Sequence, residues 1–255
     1  MTRAPPAAHI GRLAAGGGME DFSGLGRKRL ERMAAAGREV RETERALANT
    51  GDNPVSEVLR HQDPFEVWDH YPKGDVYDWK THSQYYFHAH PPSESRFPEH
   101  GHFHTFLRPK GMPVGVKPAP VDGFAMPEDP DDALSHLVAI SVDEDGRALR
   151  LFTTNRWVTG EVWYGARDVI RMLALFNIDH AQPSWPANRW VTAMVALFRP
   201  QIETLLRERD TRIQLHARYR PGGDVYEDKE LEVTSVTDIS VDEQIAAVEA
   251  ALAAA

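Results

Sequence analysis

The first strongly periodic stretch of hydrophobic positions lies near the start of the chain. Between residues 25 and 48 its apolar side chains recur at helical spacing, while arginine and glutamate fill the other faces: Leu30, Met33, Val40 and Leu47. This pattern predicts one amphipathic helix over residues 25–48, which docks on the rest of the chain or on a second subunit. Residues 1–24 are rich in alanine, glycine and proline and lack such periodicity, so they are predicted to form a flexible arm.

Alternation of apolar and polar positions follows in the next part of the chain. Aromatic and polar residues alternate between turn signals over residues 63–108, which is typical of short strands. A hairpin is predicted next, with strands at residues 137–142 and 148–154 joined by a turn at residues 143–146.

The period becomes helical again in two later segments, residues 166–177 and 187–198. Alternation then predicts strands at residues 213–219 and 231–239, and a capping box that begins at Ser240 opens a final helix. Together the periods predict an α+β fold, in which an antiparallel sheet has helices packed on it. After the arm and the first helix, residues 54–255 are predicted to form a single α+β domain.

Composition narrows the classes of function. The 255 residues carry a formal charge of −9, which argues against a surface for nucleic acid, because phosphate binding needs a cationic face. No stretch approaches the roughly 20 apolar residues of a membrane helix, and the N-terminus lacks a secretory pattern, so a cytoplasmic protein without a membrane partner is expected. The chain has no cysteine, which leaves only nitrogen and oxygen ligands for any metal.

Five histidines within seventeen residues carry the clearest chemical signal: His88, His90, His100, His102 and His104. Side chains at positions i and i+2 of a strand point to the same face, and imidazole is a common ligand of transition metals. If the strand that ends at His90 pairs with the one that begins near His102, then His88, His90, His102 and His104 surround one ion. The sequence therefore predicts a mononuclear site for a transition-metal ion, either copper, iron or zinc.

Several nearby residues are open as additional or replacement ligands: Glu94, His100 and His136. Inclusion of Glu94 would point to iron, manganese or nickel, whereas an all-nitrogen set suits zinc or copper. The carboxylates that could accept the second ring N–H of a ligating histidine are Asp75, Asp78 and Glu99.

The run His-Ala-His-Pro-Pro-Ser-Glu at residues 88–94, followed by Gly101, is similar to the first metal motif of the cupins. The resemblance covers fewer than fifty residues. It implies that His88, His90 and Glu94 bind the metal and that a histidine on a later strand, His136, completes the site.

A chain of this length does not need a metal in order to fold, so the site is expected to be catalytic. We expect a metal-dependent oxidoreductase in which the ion activates dioxygen for attack on a small-molecule substrate. A metal-dependent hydrolase with Glu94 or Glu99 as general base remains open, and so does a non-enzymatic metal chaperone or sensor. The N-terminal helix is the candidate contact for a homo-oligomer.

Other residues are candidates for the surroundings of the site. The tryptophans could line a substrate pocket, and three arginines could bind a substrate carboxylate: Arg108, Arg150 and Arg156. The proline-rich loop at residues 109–130 leaves from the second histidine strand. We expect its middle to cover the site, with inward and outward residues as follows: Met112, Phe124 and Met126 inward, Asp122 or Glu128 outward. A loop folded away from the site is the alternative.

Overall fold

The fold is α+β, as predicted, with a six-stranded antiparallel sheet and long helices on one of its faces. The computed structural model describes residues 22–91, 93, 95, 97–121 and 123–255. Most of the predicted N-terminal arm, residues 1–21, lies outside the described residues. Phe22 is buried in the main core.

The sheet is a meander, because each strand pairs with the next one along the chain and runs antiparallel to it. The strands are β1 (Tyr71–Tyr77), β2 (Ser83–His88), β3 (Gly101–Leu107), β4 (Ser135–Val142), β5 (Ala148–Thr154) and β6 (Val233–Asp238). The predicted hairpin is confirmed as β4 and β5.

The described helices are α1 (Arg27–Ala48), α2 (Pro54–Leu59), α3 (Arg156–Thr159), α4 (Ala166–Met172), α5 (Trp185–Leu197), α6 (Arg199–Tyr219) and α7 (Val241–Ala254). Short 3-10 turns lie at Pro109–Gly111, Pro130–Asp132 and Val225–Glu227. α1 packs on α5 and α7, and α6 packs on β5 and β6. Among the described helices, none has the length and hydrophobicity needed to cross a bilayer.

The prediction of a strand at residues 213–219 is wrong, because these residues form the last two turns of α6. Of the apolar side chains that suggested alternation, Ile213 is buried, whereas Leu215 is 42% exposed and Tyr219 is 83% exposed. No continuous apolar strand face is therefore buried there. The helical hydrogen bonds that start at Arg199 simply continue, since adding a residue to an existing helix costs little.

The two faces of the sheet differ in chemistry. Phe87 and Phe103 point to the helices, where their rings lie 5.1 Å apart and Phe103 contacts Trp190 of α5. Because side chains alternate along a strand, their neighbours His88 and His102 project from the opposite face. The hydrophobic core therefore packs against one face of β2 and β3, and their histidines lie on the opposite face.

A β-bulge between β3 and β4 sets the position of a further histidine. Thr105 pairs with Val138 and Phe106 pairs with His136, so Leu137 is an extra residue in β4. The extra residue shifts the alternation by one position. As a result His136 lies on the histidine face of the sheet, next to β3.

The proline-rich loop at residues 109–130 packs away from the histidine face. Met112 and Phe124 pack against the core on the helix side, and Val121 packs beside Trp163. Met126 is exposed, and the residues that line the cavities at the histidines come from other segments. The prediction that this loop covers the site is therefore wrong. Asp122 lies outside the described residues.

Candidate metal centre

β2 and β3 bring three buried histidines side by side. His88 pairs directly with His102 across the two strands, and His104 follows two residues later on the same face. The Nε2 atoms of His88 and His102 are 2.7 Å apart. One ligand nitrogen from each of the three residues lies within 4.8 Å of the others. The three side chains thus form a group that could hold a metal ion.

His90, the fourth predicted ligand, follows β2 and lies beside His88 at the edge of this group. Its Nε2 lies 3.3 Å from Nε2 of His88, and its ring packs against the indole of Trp68. Two imidazole nitrogens bound to one tetrahedral ion at about 2.0 Å stand roughly 3.3 Å apart. The structure therefore brings three of the four predicted ligands into one buried group, and it places His90, half-buried, at the edge of that group.

The hydrogen bonds of the candidate donor atoms show whether these residues fit a metal. Nε2 of His104 is buried and has no hydrogen-bond partner among the described residues. A buried polar atom without a hydrogen-bond partner costs about 1–3 kcal/mol of stability. This nitrogen is therefore suited to bind a ligand that interacts with its lone pair. Nδ1 of the same ring lies 3.0 Å from Nε2 of His136. If Nδ1 donates its proton there, Nε2 offers a lone pair, as metal ligation requires.

A carboxylate prepares His102 in the same way. Oε1 of Glu99 lies 2.8 Å from Nδ1 of His102, and both side chains are buried. A ring N–H that donates to a carboxylate leaves Nε2 free to bind a metal and fixes the ring orientation. The other two candidate carboxylates have different partners. Asp75 contacts His70, and Asp78 accepts backbone N–H bonds in the β1–β2 turn.

Burial keeps these imidazoles neutral. Burial lowers the pKa of His88 to about 2, and the neighbouring imidazoles add to the effect. Burial also lowers the pKa of His104 well below its ordinary value. For His136, burial and then the charge of Arg209 lower the pKa to about 3. Since a metal binds only the neutral ring, His88 and His104 need not lose a proton to bind one at neutral pH.

The residues left open as ligands differ in their placement. His136 lies behind His104, where its Nδ1 is 3.5 Å from the hydroxyl of Thr154, so it contacts a candidate ligand and lies outside the buried triad. The ring of His100 stacks on Phe87, which belongs to the core on the helix side. Glu94 lies outside the described residues.

One buried acid near the site was not predicted. Oε2 of Glu161 accepts the backbone N–H of His136 at 2.7 Å, and burial raises the pKa of Glu161 to about 8, against the opposing charge of Arg209. The signal in the sequence was a single acidic residue directly before the apolar run Val162–Tyr164. Such a position is unusual for a solvated glutamate.

Two cavities adjoin the histidines. The smaller has a volume of about 10 Å³, enough for one water-sized group, and its lining includes His90, His102, His104, Phe97 and Phe152. The larger is an open cleft of about 690 Å³, and its lining includes Trp68, His70, Tyr86, His88, His90 and Trp157. The candidate ligands are therefore accessible to a small molecule from the cleft.

The predicted pocket residues are only partly in place. Trp68 and Trp157 line the cleft, whereas Trp163 and Trp190 are buried in the protein interior. The three candidate arginines form ion pairs elsewhere: Arg108 with Asp132, Arg150 with Asp238 and Arg156 with Glu227. These arginines are not among the described residues that line the cleft.

The comparison with known proteins gives a family and no function. The chain belongs to the family described as "Domain of unknown function (DUF6969)", which matches residues 34–239. No curated protein matches the chain, and no solved structure does. The matched range contains the whole sheet and every histidine of the candidate centre. The resemblance to cupins stays a prediction.

Proposed function

We propose that this member of the DUF6969 family is a metal-dependent oxidoreductase that acts on a small molecule. One transition-metal ion would be held by His88, His90, His102 and His104. The observation that carries the proposal is the buried Nε2 of His104, which has no hydrogen-bond partner among the described residues and belongs to the group of three buried histidines. Several ring nitrogens converge there, and without an ion at least one lone pair is unused.

The residues around the proposed ion have different roles. Glu99 and His136 hold the rings of His102 and His104 by their Nδ1 atoms. Phe152 packs against the ring of His102 and limits the access of water from the side of β5. A copper or iron ion bound here would supply electron transfer to dioxygen.

Access from the cleft favours an enzyme over a structural or storage site. His88 and His90 line the open cleft, so a small molecule can approach the ligands directly. Tyr86 lines the same cleft, and burial raises the pKa of its phenol, which keeps the hydroxyl protonated as a hydrogen-bond donor.

A hydrolase would need a general base next to the ion. Glu99, the described candidate for this base, is buried and accepts the ring N–H of His102. Its position suits a role in orienting that ligand. We therefore favour oxidation over hydrolysis.

Metal content measured by plasma mass spectrometry tests the centre. The purified wild-type protein should carry about one transition-metal ion per chain, and the double substitution of His102 and His104 by alanine should remove it. His100→Ala is the matched control, because His100 lies on the same segment and its ring stacks on Phe87. Full retention of metal by the double variant would overturn the proposal.

A second measurement separates a redox centre from a purely structural one. Copper- or iron-loaded protein, freed of excess metal by dialysis, should consume dioxygen when ascorbate supplies electrons. Zinc-loaded protein and the His104→Ala variant should not. A copper- or iron-loaded protein that consumes no dioxygen above the zinc-loaded control would contradict the oxidoreductase assignment, even if the metal itself is bound.

A further inference from the structure

The cleft beside the candidate metal centre has aromatic walls and no cationic side chain among the described residues that line it. We propose that it binds an uncharged, flat, phenol-like molecule whose ring stacks on Trp68 and whose hydroxyl points to His88 and His90. The inference deepens the proposed function and rests on it, since it names the class of molecule placed next to the metal.

Trp68 is held in an unusual backbone conformation at the cleft. Its φ angle is +73°, in the left-handed region that a bulky residue occupies at a cost of about 1–2 kcal/mol. Its backbone N–H donates to the carbonyl oxygen of Ala89 at 2.9 Å, and its ring lies 4.2 Å from that of His90. The side chain is nevertheless 49% exposed. The fold thus keeps a large apolar ring at the cleft, beside a candidate ligand, without covering it.

Trp157 supplies a second aromatic surface. Its Nε1 donates to the backbone carbonyl oxygens of Asp228 and Leu231, both at 3.1 Å. Indole has only this one donor, so the rest of the ring is an apolar surface, and Nζ of Lys229 lies 5.3 Å from the centre of that ring. The two hydrogen bonds also fix the ring orientation, which lowers the entropy lost when a ligand stacks on it.

The charges at the cleft select against an anion. The described lining residues include Glu232 but neither lysine nor arginine. Tyr86 lines the same cleft, and its hydroxyl can donate a hydrogen bond to a neutral ligand. In the metal-free protein, a carboxylate would lose its hydration without gaining a cation from the described residues that line the cleft, whereas a neutral hydroxyl has less hydration to lose.

The volume and the arrangement of the polar groups fit one aromatic ring with a polar end. A cleft of about 690 Å³ falls within the range of small-molecule sites, roughly 300–1,000 Å³. Its polar groups at the histidine end come from His70, His88 and His90, and the two indoles supply the aromatic walls. A flat ring against the walls therefore brings its hydroxyl to the imidazoles.

Ligand-observed NMR with three probes of similar size tests this inference on the full metal-free chain: 4-methylphenol, 4-methylbenzoate and 4-methylcyclohexanol. The phenol should bind most tightly, because only it is both flat and uncharged. Trp68→Ala should weaken its binding about tenfold, the loss of one good aromatic contact, and Trp68→Phe should restore most of it. Trp79→Ala is the control, since Trp79 is 81% exposed and does not line the described cleft.

Two outcomes would overturn the inference: the benzoate or the cyclohexanol binding as tightly as the phenol, or Trp68→Ala leaving the affinity for the phenol unchanged. The same titration on zinc-loaded protein separates this inference from the proposed function. If the chain takes up no metal yet binds the phenol in a Trp68-dependent manner, the inference about the cleft is supported and the proposed function fails. If the metal binds and the phenol does not, the inference fails and the metal centre stands.

Discussion

Nδ1 of His104 on β3 and Nε2 of His136 on β4 lie 3.0 Å apart, with both rings buried. Only one of these two nitrogens can carry a proton in this contact. When the proton is on His104, its opposite nitrogen is a metal donor, and Nδ1 of His136 is left to donate towards Thr154. This chain of two contacts is compatible with the tautomer of His104 that offers Nε2 to a metal, since the hydroxyl of Thr154 can accept as well as donate.

Replacement of His136 by alanine should weaken metal binding about 10- to 100-fold, the usual cost of losing a partner that orients a ligand. Competition with a chromophoric chelator measures the affinity, and the spectrum of the copper-loaded protein reports on the coordination itself. Ser141→Ala is the control, because Ser141 lies on the same strand with a buried hydroxyl that has no partner among the described residues. Equal affinities for His136→Ala and wild type would refute the orienting role.

Glu99 should matter through its hydrogen bond to His102 more than through its charge. Glu99→Gln keeps an oxygen that can accept the ring N–H, so its affinity for metal should lie between that of wild type and that of Glu99→Ala. The alanine variant should lose about 10- to 100-fold. Glu144→Ala, in the exposed β4–β5 turn, serves as the control. Competition with the same chelator measures the affinity for metal. If Glu99→Ala bound metal as tightly as the wild type, the hydrogen bond to Glu99 would not be needed for metal binding.

Acid should destabilise the metal-free protein. The lowered pKa values of His88, His104 and His136 mean that the unfolded chain takes up three protons that the folded chain does not. Their stabilising effect is fully present above about pH 6.5 and is lost as the pH falls, at up to about 1.4 kcal/mol per pH unit for each group. Glu161 acts in the opposite direction, since its raised pKa of about 8 makes the folded state take up a proton between pH 4.5 and 8.

The destabilising effect of the three histidines on acidification is larger than the stabilising effect of Glu161. The free energy of unfolding should therefore fall between pH 7 and pH 5. Urea denaturation of chelator-treated protein measures this slope. A variant with asparagine at positions 88 and 104 should show a flatter slope, whereas His100→Ala should keep that of the wild type. A wild-type stability that stays constant or rises on acidification would contradict the argument.

Gly101 is required where β3 passes β2. A Cβ atom at this position would lie 2.5 Å from Cζ of Phe87 and 2.6 Å from the backbone oxygen of His88. Gly101→Ala should therefore cost about 1–3 kcal/mol of stability and also weaken metal binding, because relief of the clash moves the backbone of a ligand. Gly223→Ala, where a Cβ meets nothing within 4 Å, is the control. Thermal unfolding and metal content together check both effects.

The sequence predicted that His88, His102 and His104 lie together, because the geometry of this group is local. His88 and His102 are paired by one short connection, and the period of two places His104 on the same face without knowledge of the rest of the fold. Glu99 is three residues from the ring it orients, which made it a candidate from spacing alone.

The predictions failed where contacts with distant parts of the chain determine the local structure. The role of His136 depends on the bulge at Leu137, which no local pattern indicated. Alternation at Ile213 predicted a strand, although that segment lacks a partner strand in the described sheet and continues a helix. The loop at residues 109–130 was expected over the site from its ends alone, but its apolar side chains pack in other clusters.

The order of the strands has a consequence for how the protein folds. All four candidate ligands belong to β2, β3 and the connection between them, so closing a single hairpin brings them together. Closure of a loop of this length costs little entropy, and hairpins form in about 1–10 μs. β4 and β5, which supply His136 and Phe152, come later in the chain. During synthesis the imidazoles thus emerge as one short segment, before the residues that orient and shield them.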